Sequence, residues 1–83
     1  MRIRYFAWVR ERVGRAEEEV QPTTPIATVA DLADWLATRG PGYEAAFADR
    51  NRLRVAVNQD QADFTAHIAA NDEIAFFPPM TGG

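Results

Sequence analysis

The sequence contains no cysteine, no serine and no lysine, and its one histidine is His67. Without Cys there is no disulfide and no thiolate metal site, so a hydrophobic core must hold the fold alone. Without Ser, Cys or Lys there is no Ser-His-Asp arrangement, no thiolate nucleophile and no Schiff-base amine. A zinc site built on Cys and His is excluded, and no metal site is expected. Thr, Tyr and carboxylates remain, but none sits in a motif that would activate it. A lone His reads as a structural or solvated side chain. The absences argue against a self-sufficient enzyme.

Long apolar runs are missing too. Nothing approaches the ~20 residues of a membrane span. The first twenty residues carry four arginines by Arg12 but no apolar stretch leading to small residues, so no signal peptide is read. The cytoplasm is the expected location. Net charge is −3 and the pI is near 5.0, which argues against nucleic acid as a partner. Arg50, Arg52 and Arg54 form a small basic cluster that reads as a solvated strand edge.

The residues present suffice for one domain. The chain has 83 residues, of which 47% are hydrophobic. A domain this small hides only ~60% of its unfolded surface. Residues 2–8, "RIRYFAW", begin in alternation and predict a strand, with Ile3, Tyr5 and Ala7 on one face and Arg2, Arg4, Phe6 and Trp8 on the other. "RERVG" comes next as a turn or short helix stopped by Gly14. "AEEEVQ" predicts a polar edge strand.

The clearest helix comes after "PTTP". Thr28 suits an N-cap and Asp31 the helix N-terminus. Val29, Leu32, Ala33 and Leu36 make one buried stripe. Arg39 falls in the expected last turn, Gly40 reads as the C′ residue and Pro41 as the stop. "YEAAFADR" has room for one short helix. "RLRVAVN" predicts a strand with Leu53, Val55 and Val57 on one face. "NQDQ" predicts a turn, "ADF" a short strand, and residues 73–77 a last strand with Ile74 and Phe76 facing one way and Ala75 and Phe77 the other.

This order is that of an α+β, β-grasp (ubiquitin-like) fold: a mixed sheet of about five strands with one main helix on one face. A ferredoxin-like split βαβ would need a second full helix. With Ile3, Val55 and Phe76 toward the helix, Phe6, Ala56, Ala75 and Phe77 point away from it. A fold this small cannot cover that face itself, so those four read as a partner surface.

The chain closes on "FFPPMTGG". Pro78 and Pro79 have no N–H, so they end the strand and stiffen the start of the tail. This divides the chain into a domain over 1–77 and an extended tail over 78–83. Six residues reach ~20 Å at most. Gly82 and Gly83 carry no side chain and can enter a channel closed to other residues. The prolines aim the tail, and the glycines keep it thin around an unshielded carboxylate.

Together "YFAWVRERVG", "TVADLADWL", "VAVNQ" and "NDEIAFFPPMTGG" make the chain resemble the molybdopterin synthase small subunit, a MoaD-type sulfur carrier, along its whole length. The resemblance implies that an E1-like enzyme uses ATP to adenylate the carboxylate of Gly83. A persulfide donor then leaves a thiocarboxylate there. Gly82, Thr81, Met80, Pro79 and Pro78 would be the tail residues bound as it enters the large subunit of a heterotetramer, where the sulfur passes to cyclic pyranopterin monophosphate to build the molybdopterin dithiolene. This chain would bind no cofactor, and the catalytic side chains would belong to the large subunit. One departure is Asn71-Asp72 where the family commonly has Gly-Asp; Asn tolerates the positive φ such a turn can require. Alternatives are a sulfur carrier for thiamine, tRNA thiolation or cysteine synthesis, a ubiquitin-like protein modifier, and an interaction module with an inert tail.

Overall fold

Two apolar pairs set the centre of the molecule. Ile3 and Tyr5 alternate with Arg2 and Arg4 on β1 (Arg2–Tyr5), and Ile74 and Phe76 alternate with Ala75 and Phe77 on β5 (Glu73–Phe77). In the computed structural model, which describes residues 1–79, these strands lie parallel and in register, Ile3 beside Ile74 and Tyr5 beside Phe76. Around them stand α1 (Ala7–Val13), β2 (Glu17–Glu19), α2 (Val29–Ala37), α3 (Pro41–Ala46), a 3₁₀ turn (Arg50–Arg52), β3 (Arg54–Val57) and β4 (Asp60–Ala62). The sheet order is β2-β1-β5-β3-β4, with β1 and β5 parallel and the other pairs antiparallel. This mixed five-stranded sheet with its helices on one face is the expected β-grasp.

Helix α2 obeys its sequence signals. The Thr28 hydroxyl accepts from the Asp31 N–H, and the Asp31 carboxylate accepts from the N–H groups of Ala27 and Thr28. Those backbone donors hold the Asp31 carboxyl below its ordinary range. Val29, Leu32, Ala33 and Leu36 are all buried, in one core with Ile3, Tyr5, Leu53, Val55, Ile74 and Phe76. Phe47 meets Phe76 edge-on, with ring centroids 4.9 Å apart, so β5 is anchored from within.

Several local readings change. The first strand ends at Tyr5, and Ala7 and Trp8 belong to α1. Ala7 turns the chain with φ of 52°, and the apolar spacing then becomes four, Val9 and Val13 facing the core. Gly14 caps this helix in the left-handed region, φ 91°. Helix α2 stops at Ala37, so Gly40 is not its C′ residue; Gly40 precedes α3, and Pro41 starts that helix. Proline fits a first turn because its missing N–H would have no partner there. Only Arg54 of the basic cluster lies on a strand, and β3 is interior to the sheet rather than an edge. The short strand is Asp60–Ala62, because Asn58 and Gln59 make a two-residue hairpin with both φ values positive. Asn71 does not take positive φ; the turn closes instead through Asp72, whose N–H donates to the Ala69 carbonyl and whose carboxylate accepts from the Ala69 N–H.

The edge strand holds a buried carboxylate. Glu18 sits across from Ile3 and points inward, its side chain 5% exposed. It accepts from the hydroxyls of Tyr5 (2.8 Å) and Tyr43 (2.7 Å) and from the Arg39 guanidinium (2.8 Å). Burial raises its carboxyl, but the Tyr43, Tyr5 and Arg39 donors outweigh that and hold it below the ordinary range. Burial, reinforced by the same carboxylate, pushes the Tyr5 hydroxyl far up. Among the described residues no buried side-chain donor or acceptor lacks a partner.

Candidate functional site

The outer face of the sheet is built by strand alternation. Register places Arg4 beside Ala75, Ala75 beside Ala56, and Phe77 beside Arg54. Each of these residues is one step from a buried neighbour, so these positions turn away from the core. Phe6 continues the same side past the end of β1, where the Arg4 guanidinium carbon lies 5.2 Å from its ring centroid. Phe6 is the one large hydrophobic side chain that is exposed among the described residues, at 40%. The structure thus brings Phe6, Ala56, Ala75 and Phe77 to one face. Alanines at the two middle positions leave a shallow floor, with the phenylalanines at the tail-proximal end.

The tail begins at that same end. Strand β5 stops at Phe77, and Pro78 and Pro79 continue without strand pairing. Both prolines are half-buried and border a cleft shared with Trp8, Asn51 and Arg52. Met80, Thr81, Gly82 and Gly83 lie outside the described residues.

Sequence reasoning missed Trp8, Arg12 and Arg52 at this site. Assigning Trp8 to a strand put it on the sheet face; on α1 it stands beside the prolines instead. The signal was the spacing of Trp8 and Arg12, four residues apart and therefore neighbours on a helix. The Arg12 guanidinium carbon is 4.5 Å from the Trp8 ring centroid, and that of Arg52 is 5.6 Å away.

Chemically the site offers apolar contact, cationic groups and a stiff exit, and it has no nucleophile–base pair. Among the described residues no group of three or more His, Asp or Glu could hold a metal ion. No helix there is long and apolar enough to cross a membrane. His67 is exposed, and its backbone bridges to Thr28.

Known proteins of this kind share both sequence and shape with the chain. The ThiS family matches residues 3–83. The molybdopterin synthase sulfur carrier subunit of Escherichia coli is 39% identical, over all of this chain and 99% of that protein. That of Haemophilus influenzae is 34% identical over the same shares. The crystal structure of small archaeal modifier protein 1 from Haloferax volcanii superposes with a TM-score of 0.73, at 29% identity, covering 96% of this chain and 97% of that one.

Proposed function

Because the chain belongs to the ThiS family, we propose that it is the sulfur carrier of a molybdopterin synthase. The observation that carries this reading is similarity over the full length to two sulfur carrier subunits of that enzyme. The absence of Ser, Cys and Lys agrees with it, since the reacting group is then a backbone carboxylate.

A carboxylate is a poor electrophile. An E1-like adenylating enzyme activates that of Gly83 with ATP, making AMP the leaving group. The terminal sulfur of a persulfide displaces AMP to give an acyl disulfide, and a second thiol cleaves its S–S bond, forming a disulfide with the donor's thiol and leaving a thiocarboxylate. The loaded tail then enters the large synthase subunit, whose side chains direct the sulfur to cyclic pyranopterin monophosphate. The chain binds no cofactor and acts as a co-substrate in the cytoplasm, as part of a heterotetramer with two large subunits. Its outer face docks through Phe6, Ala56, Ala75 and Phe77. Pro78 and Pro79 hand over to Met80, Thr81, Gly82 and Gly83 inside the partner. Ordering each tail residue costs ~1–2 kcal/mol, so contact on the folded face has to offset that cost.

The test is incubation with an adenylating enzyme, ATP and a persulfide donor, and then intact-mass spectrometry. One oxygen-for-sulfur exchange at the last residue, and molybdopterin formation on adding large subunit, are the expected results. Attachment of the chain to lysines of other proteins, with no thiocarboxylate, would make it a protein modifier instead.

A further inference from the structure

Five arginines, Arg2, Arg4, Arg15, Arg39 and Arg50, each have a carboxylate within ion-pair distance. Arg10, Arg12, Arg52 and Arg54 have none among the described residues, and the last three stand near the start of the tail. Arg54 lies across from Phe77. Arg12 and Arg52 approach one indole, that of Trp8, from different elements. Arg12 is steadied further by donating to the Ala45 carbonyl over 3.4 Å. Trp8, Asn51 and Arg52 line a cleft whose other wall is Pro78 and Pro79, and none of these residues is acidic.

Two guanidiniums beside one ring repel each other, and each is attracted by the ring face. The ring therefore holds in place two cations that an anion would bring into balance. A guanidinium pairs best with a planar carboxylate through two parallel N–H donors. Because stacking already restricts both side chains, less freedom is lost when they bind. The chain as a whole is acidic, at net −3, so general attraction to anions does not explain this local excess of positive charge.

We propose that the cleft at Trp8 and Arg52, with Arg12 against the same indole, receives an acidic segment of the synthase large subunit, one presenting Asp or Glu carboxylates. The cleft guides that protein to the correct end of the sheet before the tail is threaded. This deepens the sulfur-carrier reading and rests on it, because that reading supplies a protein to receive the tail.

The experiment measures association rates of the full chain with the synthase large subunit and, separately, with the adenylating enzyme, at low and high salt. The test variant is Arg12→Gln with Arg52→Gln. Its control is Gln21→Glu with Thr24→Glu, which has the same net charge but changes residues around Met1 and Asn71, at the far end of the sheet. Circular dichroism establishes that both fold. With the large subunit, the test variant should associate ~10-fold more slowly at low salt and lose most of its salt dependence, while the control stays near wild type. Unchanged rates with the large subunit, whether or not the adenylating enzyme is slowed, overturn the cleft proposal and leave the sulfur-carrier reading standing. A wild-type chain that binds neither protein and gains no thiocarboxylate overturns both. Inorganic phosphate is the last probe: a phosphate-dependent change in indole fluorescence that the test variant lacks assigns the cleft to a phosphate and overturns the acidic segment.

Discussion

The N–H of Phe6 donates to the carbonyl of Phe76 over 3.1 Å. This rung closes the pairing of β1 with β5 where one chain segment turns into α1 and the other into the tail. Phe6 and Phe77 are thereby held at the same end of one face, and the core fixes where Pro78 leaves the sheet.

Phe77→Ala should weaken binding to the large subunit by ~30-fold or more, the effect of removing a buried aromatic anchor worth ~2 kcal/mol. The melting temperature should change little, because Phe76 and not Phe77 fills the core. Titration calorimetry beside a thermal melt checks both. A variant that unfolds would show that Phe77 supports the fold.

Adding one residue after Gly83 moves the carboxylate ~3.3–3.6 Å outward, where a displacement of ~1 Å can cost ~100-fold in rate. Gly82→Val keeps the length but adds a branched side chain and forbids positive φ. Both variants should fold and dock, and both should lose molybdopterin formation in a purified assay. Full activity with the extra residue still attached, shown by mass spectrometry, would falsify the role of the Gly83 carboxylate.

Much of this site is legible in the amino-acid sequence. The face holding Phe6, Ala56, Ala75 and Phe77 comes directly from alternation, because a central strand has no other way to place its side chains. Trp8 is harder to place because two periods meet at Phe6; "YFAW" satisfies a strand until Val9 and Val13 are counted with it. Glu18 is hidden because "EEE" reads as uniformly polar. The clue is Val20 two residues on, which shares its inward face and is also buried. The partners that satisfy Glu18 leave no local signal, since Tyr5, Arg39 and Tyr43 come from distant parts of the chain.

Those partners make stability depend on pH. The Glu18 carboxyl is held below its unfolded value, so the unfolded chain binds the proton more readily. The contribution is full above the ordinary Glu value of ~4.3 and falls as pH drops through the folded value. Glu18→Gln should lower stability at pH 7 by ~1–3 kcal/mol, and its loss of stability below pH ~4.3 should be shallower than wild type. Denaturant melts across pH ~3–7 measure both. Identical acid limbs would exclude Glu18 as a source of that dependence.

Helix α3 crosses α1 through a glycine. A Cβ on Gly42 would lie 2.2 Å from the carbonyl oxygen of Arg12. Gly to Ala inside a helix ordinarily gains ~0.5–1 kcal/mol, but crowding against backbone costs ~1–3 kcal/mol. The second effect should win. Gly42→Ala is expected to lower the melting temperature by about 5 °C, the shift that a net loss of ~1 kcal/mol gives in a domain of this size. A rise would mean that the helices separate easily. Because the crowded carbonyl belongs to Arg12, the same variant reports on how firmly the Trp8 cleft is mounted.

The pairing of the first strand with the last has a consequence for synthesis. Strand β5 sits at the middle of the sheet, between β1 and β3, yet it is the last of these five strands that a ribosome releases. Until residues 73–77 emerge, β1 and β3 have no strand to join them, and the nascent chain can hold only fragments of the core. Contacts between such distant segments also close slowly. A product broken off before Glu73 would therefore lack both its tail and the centre of its sheet. It could not compete for a docking partner as an intact but unloadable decoy.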